Sequence, residues 1–250
     1  MILTVDIGNT NTKFGVFDGE RLVGKLSVPT LRDVSAASLS KILSQRVDKT
    51  FDAAIVCSVV PGANAAVADA IRTSFGVNAR FVQNDDDLGL DIKYKPLEDA
   101  GTDRLVNAFA AVEKYGSPCI VCSFGTATTI DVVNKYRVLT GGLIAPGIRS
   151  MSAAMKLTTS RLPEVEIEMT DGILQNTTVE CLRSGIVNGY ISMVHGLIDR
   201  IKREIDEEPK VIATGGYATL VAENSDFIDT VDTELLLTGL QQLHARSQTV

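Results

Sequence analysis

One plan of residues occurs twice in this chain: an apolar strand, a glycine, a short hydroxyl-rich turn, and a second strand returning beside the first. The first copy is ILTVDIGNTNTKFGVF at residues 2–17 and the second is PCIVCSFGTATTIDVV at 118–133. Each is followed by a third strand, RLVGKLSVP or YRVLTGGLIAPG, and then by helical spacing. A motif repeated with its flanking elements in the same order predicts two similar halves. The boundary falls near the 104–115 helix, giving units 1–112 and 113–250. Laying Gly8 on Gly125 sets Thr12 on Thr129 and Asp6 on Ser123.

The turns also carry chemistry. Residues 6–13 supply Asp6, Ile7, Gly8, Asn9, Thr10, Asn11, Thr12 and Lys13 within one tight connection. Backbone N–H groups and short donors aimed at one spot suit a phosphate chain, and a carboxylate beside them suits hydrated magnesium. An ordinary hairpin also favours Gly and Asn, but it does not require an acid at the end of an apolar strand. Two such turns on two halves would clamp a nucleotide. Neither G-x-x-x-x-G-K-[ST] nor a post-strand G-x-G-x-x-G occurs in the sequence.

Between the two copies the pattern predicts a helix over 35–47, a strand over 51–60 and a helix stopped by Gly76. A short strand at 79–83 follows. Residues 84–101 are acidic and rich in turn formers, which predicts a long functional loop. Thr102 or Asp103 then caps a helix over 104–115. After the second copy come helices over 148–159 and 178–207, a strand over 210–214, and further helix. The fold class is α/β, with a mixed five-stranded sheet and flanking helices in each half.

The 250 residues carry a formal net charge of -7, which offers no basic footprint for nucleic acid. No apolar run has the length of a membrane span and no basic leader precedes the first strand, so a cytoplasmic protein is expected. Cys119 and Cys122 form a nominal C-x-x-C. They lie in a strand, where a spacing of three puts them on opposite faces, so they read as core residues rather than redox or zinc ligands. His195 and His244 lack a cluster of ligand-type neighbours in sequence and read as packing or surface residues.

DIGNTNTKFGVF, SVVP at 58–61, GTDRLVNA, FGTATTIDVV, GGLIAPG, TTVECLRSGIVNG and ATGG occur in order along nearly the whole chain. The two hairpins and the late strand resemble the acetate kinase, sugar kinase and actin superfamily, whose halves are ribonuclease-H-like, the actin-like ATPase fold. The ordered set is similar to type III pantothenate kinase, the family that opens coenzyme A synthesis. The resemblance implies ATP-dependent phosphorylation of the 4'-hydroxyl of pantothenate. It makes residues 6–13 the first phosphate loop, Thr126 a second ATP contact, and the later half the carrier of an adenosine-binding segment. It assigns Gly101, Thr102, Asp103 and Arg104 to pantothenate, with Asp103 as proton acceptor, and adds Tyr94 and Thr178. Mg2+ and a homodimer in which subunits share substrate contacts are implied as well.

Two departures stand out. The family usually has Asp where this chain has Ser123, at its site for a monovalent cation, K+ or NH4+. It favours Asn where this chain has Thr177. The first departure admits a rival, a family member that has lost catalysis and serves as a binding or regulatory protein. A second rival is a related kinase acting on another small hydroxylated substrate.

Overall fold

The computed structural model describes residues 1–30 and 35–248. It divides into unit 1, Met1–Lys114 with Glu234–Val250, and unit 2, Tyr115–Thr233. The strand-turn-strand copy opens the sheet in each.

In unit 1, β1 (Ile2–Ile7), β2 (Asn11–Asp18) and β3 (Arg21–Pro29) form an antiparallel meander. It is extended on the β1 side by parallel β4 (Ala53–Ser58) and β5 (Ala79–Phe81), giving the order β3-β2-β1-β4-β5. Strand alternation decides what each face meets. Leu3, Val5 and Ile7 join Phe14, Val56 and the helices α1 (Ala36–Arg46) and α2 (Pro61–Phe75) in one core. Thr4 and Asp6 point to the opposite face, which they share with Cys57, the register partner of Asp6 on β4. Local chemistry sets the helix ends. Ser35 accepts from the Ser38 N–H at the start of α1, Pro61 opens α2, and Gly76 closes it at φ 72°.

The 84–101 stretch is less irregular than its composition suggests. It holds a short strand β6 (Asp91–Ile92), a 3-10 turn (Leu97–Asp99) and a buried Leu88, while the Asn84 amide donates to Leu97 O and Ala100 O. The next helix, α3 (Thr102–Tyr115), begins before the expected Arg104. Gly101 supplies the capping carbonyl, to Arg104 N and Leu105 N, so Thr102 and Asp103 lie inside the first turn rather than capping it.

Unit 2 repeats the layout. Its strands β7 (Cys119–Phe124), β8 (Ala127–Val133) and β9 (Val138–Pro146) form the meander, with parallel β10 (Lys210–Thr214) and β11 (Thr230–Val231) beyond β7. The order β9-β8-β7-β10-β11 matches that of unit 1 strand for strand. The correspondence reaches single residues. Val16 and Val132 each precede a bulge, which leaves Val23 and Thr140 outside the ladder, and Pro29 and Pro146 each end the third strand opposite the first residue of the second. Helix α4 (Ile148–Thr158) follows this meander. The long α5 (Thr178–Ile205) buries Ile186, Val187, Tyr190, Val194 and Ile198 against Ile120, Cys122, Phe124 and Ile130. A short helix, α6 (Ala218–Glu223), connects β10 to β11.

Duplication does not extend to the C-terminus. The last helix, α7 (Leu235–Ser247), packs on β1, β2 and β4 and groups with unit 1, whereas a single boundary at 112/113 puts it in the second half. Gly239 makes that packing fit: a Cβ there would stand 2.7 Å from Ala110 Cβ on α3. The four cysteines are free thiols, with Cys57, Cys119 and Cys122 buried. Among the described residues no helix is long and apolar enough to cross a membrane.

Candidate active site

In unit 1 the site grows from strand ends that lie side by side. The β1–β2 turn spans residues 8–11, closed by Gly8 N donating to Asn11 O, with Asn9, Thr10 and Asn11 exposed. Thr12 is buried and shares a hydrogen bond with Thr30 Oγ1 at 2.8 Å. Thr12 thus belongs to the frame of the turn rather than its open edge. Asp6 and Lys13 are register partners, with Oδ2 and Nζ 3.8 Å apart. Burial raises the Asp6 carboxyl to about 6; Lys13 opposes the rise and the charge of Asp103 adds to it.

On β4, next to β1, Val59 N continues the ladder to Ile7 O. Ser58 Oγ donates to Asn64 Oδ1 and accepts from Val60 N, folding the SVVP segment into the start of α2. The Ser58 carbonyl accepts from Thr102 Oγ1 at 3.1 Å, which ties α3 to the end of β4. Asp103 follows, its Oδ1 accepting from Arg104 N at 2.9 Å. A Cβ on Gly101 would lie 2.6 Å from that oxygen. Burial raises the Asp103 carboxyl above its usual range, against the hydrogen bond and charge of Arg104. Arg104 is itself buried; its Nη1 donates to Tyr94 Oη at 3.3 Å and its guanidinium sits 5.2 Å above the Tyr94 ring.

Asp6, Lys13, Tyr94, Asp103 and Arg104 are therefore gathered in one unit, while the backbone turn of 8–11 stands at the end of the strand that carries Asp6. Asp6 fits a hydrated magnesium ion. It is a buried carboxylate at the mouth of a donor-rich turn, held only loosely by Lys13, and Mg2+ commonly takes one or two carboxylates together with phosphate oxygens. Among the described residues no group of three or more His, Cys, Asp or Glu is placed to hold a metal by protein ligands alone.

In unit 2 the β7–β8 turn is one residue shorter, closed by Gly125 N donating to Ala127 O. The first ladder pair beyond it is Phe124 with Thr128, as Ile7 is with Thr12. The structural counterpart of Thr12 is thus Thr128, not Thr129, because equal sequence spacing ignores the shorter turn. Thr128 is buried like Thr12 and hydrogen-bonds Tyr190. Asp6 does correspond to Ser123, and the Asp6–Lys13 pair to Ser123–Thr129.

Thr126 is exposed at the tip, and its carbonyl accepts from Gly147 N and Ser150 Oγ, fastening the turn to the start of α4. Gly147 has no room for a side chain, since a Cβ would lie 2.3 Å from Gly125 O. Thr178, also in unit 2, is the exposed first residue of α5 and lines a surface cavity of about 520 Å³ with Leu162, Asn176 and Cys181. Thr177 accepts from Glu180 N as the N-cap of α5, which gives its hydroxyl a structural use. Ser58, Gly147 and Gly215 lie in the SVVP, GGLIAPG and ATGG motifs without a role assigned to them, and Ser150 lies in none; each meets a residue far away in the chain through backbone atoms.

Comparison with known proteins agrees with this geometry. A family model described as type III pantothenate kinase matches residues 2–200. A type III pantothenate kinase of Halalkalibacterium halodurans is 37% identical over 253 residues, covering 99% of this chain and 100% of the relative. One of Geobacillus kaustophilus is 39% identical, covering 99% and 98%. Among solved structures, a Campylobacter jejuni protein described as a Baf family transcriptional activator superposes with a TM-score of 0.61 at 18% identity, covering 99% and 100%. A ROK hexokinase of Thermus thermophilus gives 0.50 at 14%, covering 100% and 99%. These two show the shared fold, duplicated ribonuclease-H-like α/β units of the actin-like ATPase type. With the family model and relatives matching almost from end to end, the chain belongs to the type III pantothenate kinase family.

Proposed function

We propose that the protein transfers the γ-phosphoryl group of ATP to the 4'-hydroxyl of pantothenate, the opening step of coenzyme A synthesis. The observation that carries the reading is the gathering of Asp6, Lys13, Asp103, Arg104 and Tyr94 in one unit of a chain that belongs to this family. Phosphoryl transfer requires an in-line hydroxyl, a proton acceptor and charge neutralisation around the phosphates. Asp103 accepts the hydroxyl proton, and its raised carboxyl makes it a better acceptor than an ordinary aspartate. Arg104 presents a guanidinium fork to the pantothenate carboxylate, oriented by Tyr94.

The exposed turn residues Asn9, Thr10 and Asn11 and the Lys13 ammonium hold phosphate oxygens, and Asp6 holds Mg2+, which when bound neutralises phosphate charge. Thr126 is a further ATP contact. Gly215 and Gly216, after β10, form the adenosine segment; a Cβ on Gly216 would meet no atom within 4 Å. Gly101 and Thr178 complete the pantothenate contacts, while Thr102, in the same segment, turns its hydroxyl inward to Ser58 O. Ser123 offers a neutral hydroxyl where the family has Asp, so K+ or NH4+ binds there weakly, and Ser123→Asp lowers the K+ concentration giving half-maximal rate.

A homodimer is supported by exposed Ile173 and Leu174, 73% and 95% accessible. They line a cavity of about 420 Å³ with the small face of α5, Gly185, Gly189 and Ser192. Leu174→Glu shifts the light-scattering mass to that of a monomer if the reading holds. Free thiols and soluble substrates support the cytoplasm as the place of work.

The test is ADP release from MgATP in a coupled assay. Turnover appears only with pantothenate, and Asp103→Asn removes it while ATP affinity stays within about threefold. Pantothenate-independent ADP release, or unchanged turnover in Asp103→Asn, overturns the reading.

A further inference from the structure

The Thr102 side chain is engaged inside the protein. Its hydroxyl donates to Ser58 O at 3.1 Å and accepts from Cys57 Sγ at 3.3 Å. Both partners sit at the end of β4, and Cys57 is the register neighbour of Asp6. The Cys57 thiol is fully buried, and the Thr102 hydroxyl is its hydrogen-bond partner. Ser58 is fixed in turn by Asn64 and Val60 N on the α2 side. A chain of hydrogen bonds thus runs from the strand beside Asp6 to the first residue of α3. The next residue is Asp103.

We infer that Thr102 is a positioning residue: through Cys57 and Ser58 it fixes the first turn of α3 on β4, and so holds the Asp103 carboxylate at a set distance from the Asp6 turn. The reasons are geometric. Asp103 hangs from the start of α3, and its Oδ1 accepts from the N–H of its neighbour Arg104, a contact that moves with the helix. The bond from Thr102 to Ser58 O crosses to the neighbouring strand and does not move with it. Small displacements of a proton acceptor reduce rate far more than they reduce binding, up to about a hundredfold per ångström. Thr102 touches the reaction only through Asp103, so this role rests on the reading of Asp103 as proton acceptor.

The experiment compares Thr102→Val, Thr102→Ser and Asp103→Asn in the full-length enzyme, measuring kcat, both KM values and Tm. Thr102→Val keeps the shape and removes the hydroxyl. It should lower kcat roughly 10- to 100-fold with both KM values within about twofold, and Thr102→Ser should restore kcat to within about threefold. If Thr102→Val does not fold, Thr102→Ala is measured against Thr102→Ser in its place. A raised pantothenate KM with kcat intact makes Thr102 a binding contact and overturns the inference. So does an unchanged kcat, or a serine variant as impaired as valine. Full turnover in Asp103→Asn sinks the proton-acceptor reading and this inference with it. Loss of turnover there with wild-type kcat in Thr102→Val sinks the inference alone.

Discussion

Asp6 and Lys13 face each other across the β1–β2 ladder, yet their charged atoms stand 3.8 Å apart, too far for a hydrogen bond. Desolvation therefore dominates at Asp6, and its carboxyl rises to about 6 rather than falling below 3.8. A carboxyl raised by folding contributes stability that is fully present below its unfolded pKa and is lost as pH rises through its folded one. The window is about 3.8 to 6, and the difference corresponds to about 3 kcal/mol. Asp6→Asn should accordingly stabilise the ligand-free protein at pH 7.5 relative to its effect at pH 4, while removing turnover. Urea unfolding of both proteins at the two pH values checks this; equal effects at both count against a strained Asp6.

The Asp103 carboxylate curls back over Gly101, where a methyl would stand 2.6 Å from Oδ1 and touch nothing else closer than 3.8 Å. Gly101→Ala should therefore move the carboxylate and leave the backbone in place. We expect kcat to fall about tenfold with Tm changed by less than about 2 °C. Steady-state kinetics and thermal unfolding on one preparation decide it: a large drop in Tm would mean that α3 itself had been displaced.

The two sheets and their repeat were legible because strand-turn-strand spacing is a local signal, and the apolar runs around Val5 and Val121 carry it plainly. The acid at the end of β1 was legible for the same reason. What escaped is non-local. Thr12 was aligned with Thr129 because spacing alone hides the shorter second turn, which only the pairing of Phe124 with Thr128 exposes. Helix α7 joins unit 1 through packing on β1, β2 and β4, and nothing within its own residues names that partner. Ser58 and Thr102 lie 44 residues apart, and their bond follows from the start of α3 meeting the end of β4. Tyr94 and Arg104 entered through resemblance, and their contact gives that choice a physical basis.

Thr128 and Tyr190 satisfy each other in the core of unit 2, where both are fully buried, and burial pushes the Tyr190 hydroxyl to about 12, so it stays neutral. Tyr190→Phe strands the threonine hydroxyl and Thr128→Val strands the tyrosine. Each should cost about 1–3 kcal/mol. The double variant should cost less than the two single costs added together, because no buried hydroxyl is then left alone. Denaturant titrations of the four proteins measure the coupling, and additive losses would mean that the hydroxyls find other partners. As Thr128 anchors the turn bearing Thr126, the single variants should also raise the KM for ATP.

Gly215 and Gly216 are neighbours with opposite demands. Gly215 has φ +93°, and a Cβ there would lie 2.6 Å from Phe124 O and 2.8 Å from Phe124 N, all backbone that cannot swing aside. Gly215→Ala should destabilise the protein by about 1–3 kcal/mol through strain alone, before any effect on ligand is considered. At Gly216 the fold has no such objection, since a Cβ would meet nothing within 4 Å. If the open side of Gly216 is where adenosine lies, Gly216→Ala should leave Tm within about 1 °C of wild type and raise the KM for ATP severalfold, with the KM for pantothenate unchanged. Thermal unfolding with and without ATP separates the two glycines. A Gly216→Ala protein with wild-type ATP affinity would move the adenosine segment away from the end of β10.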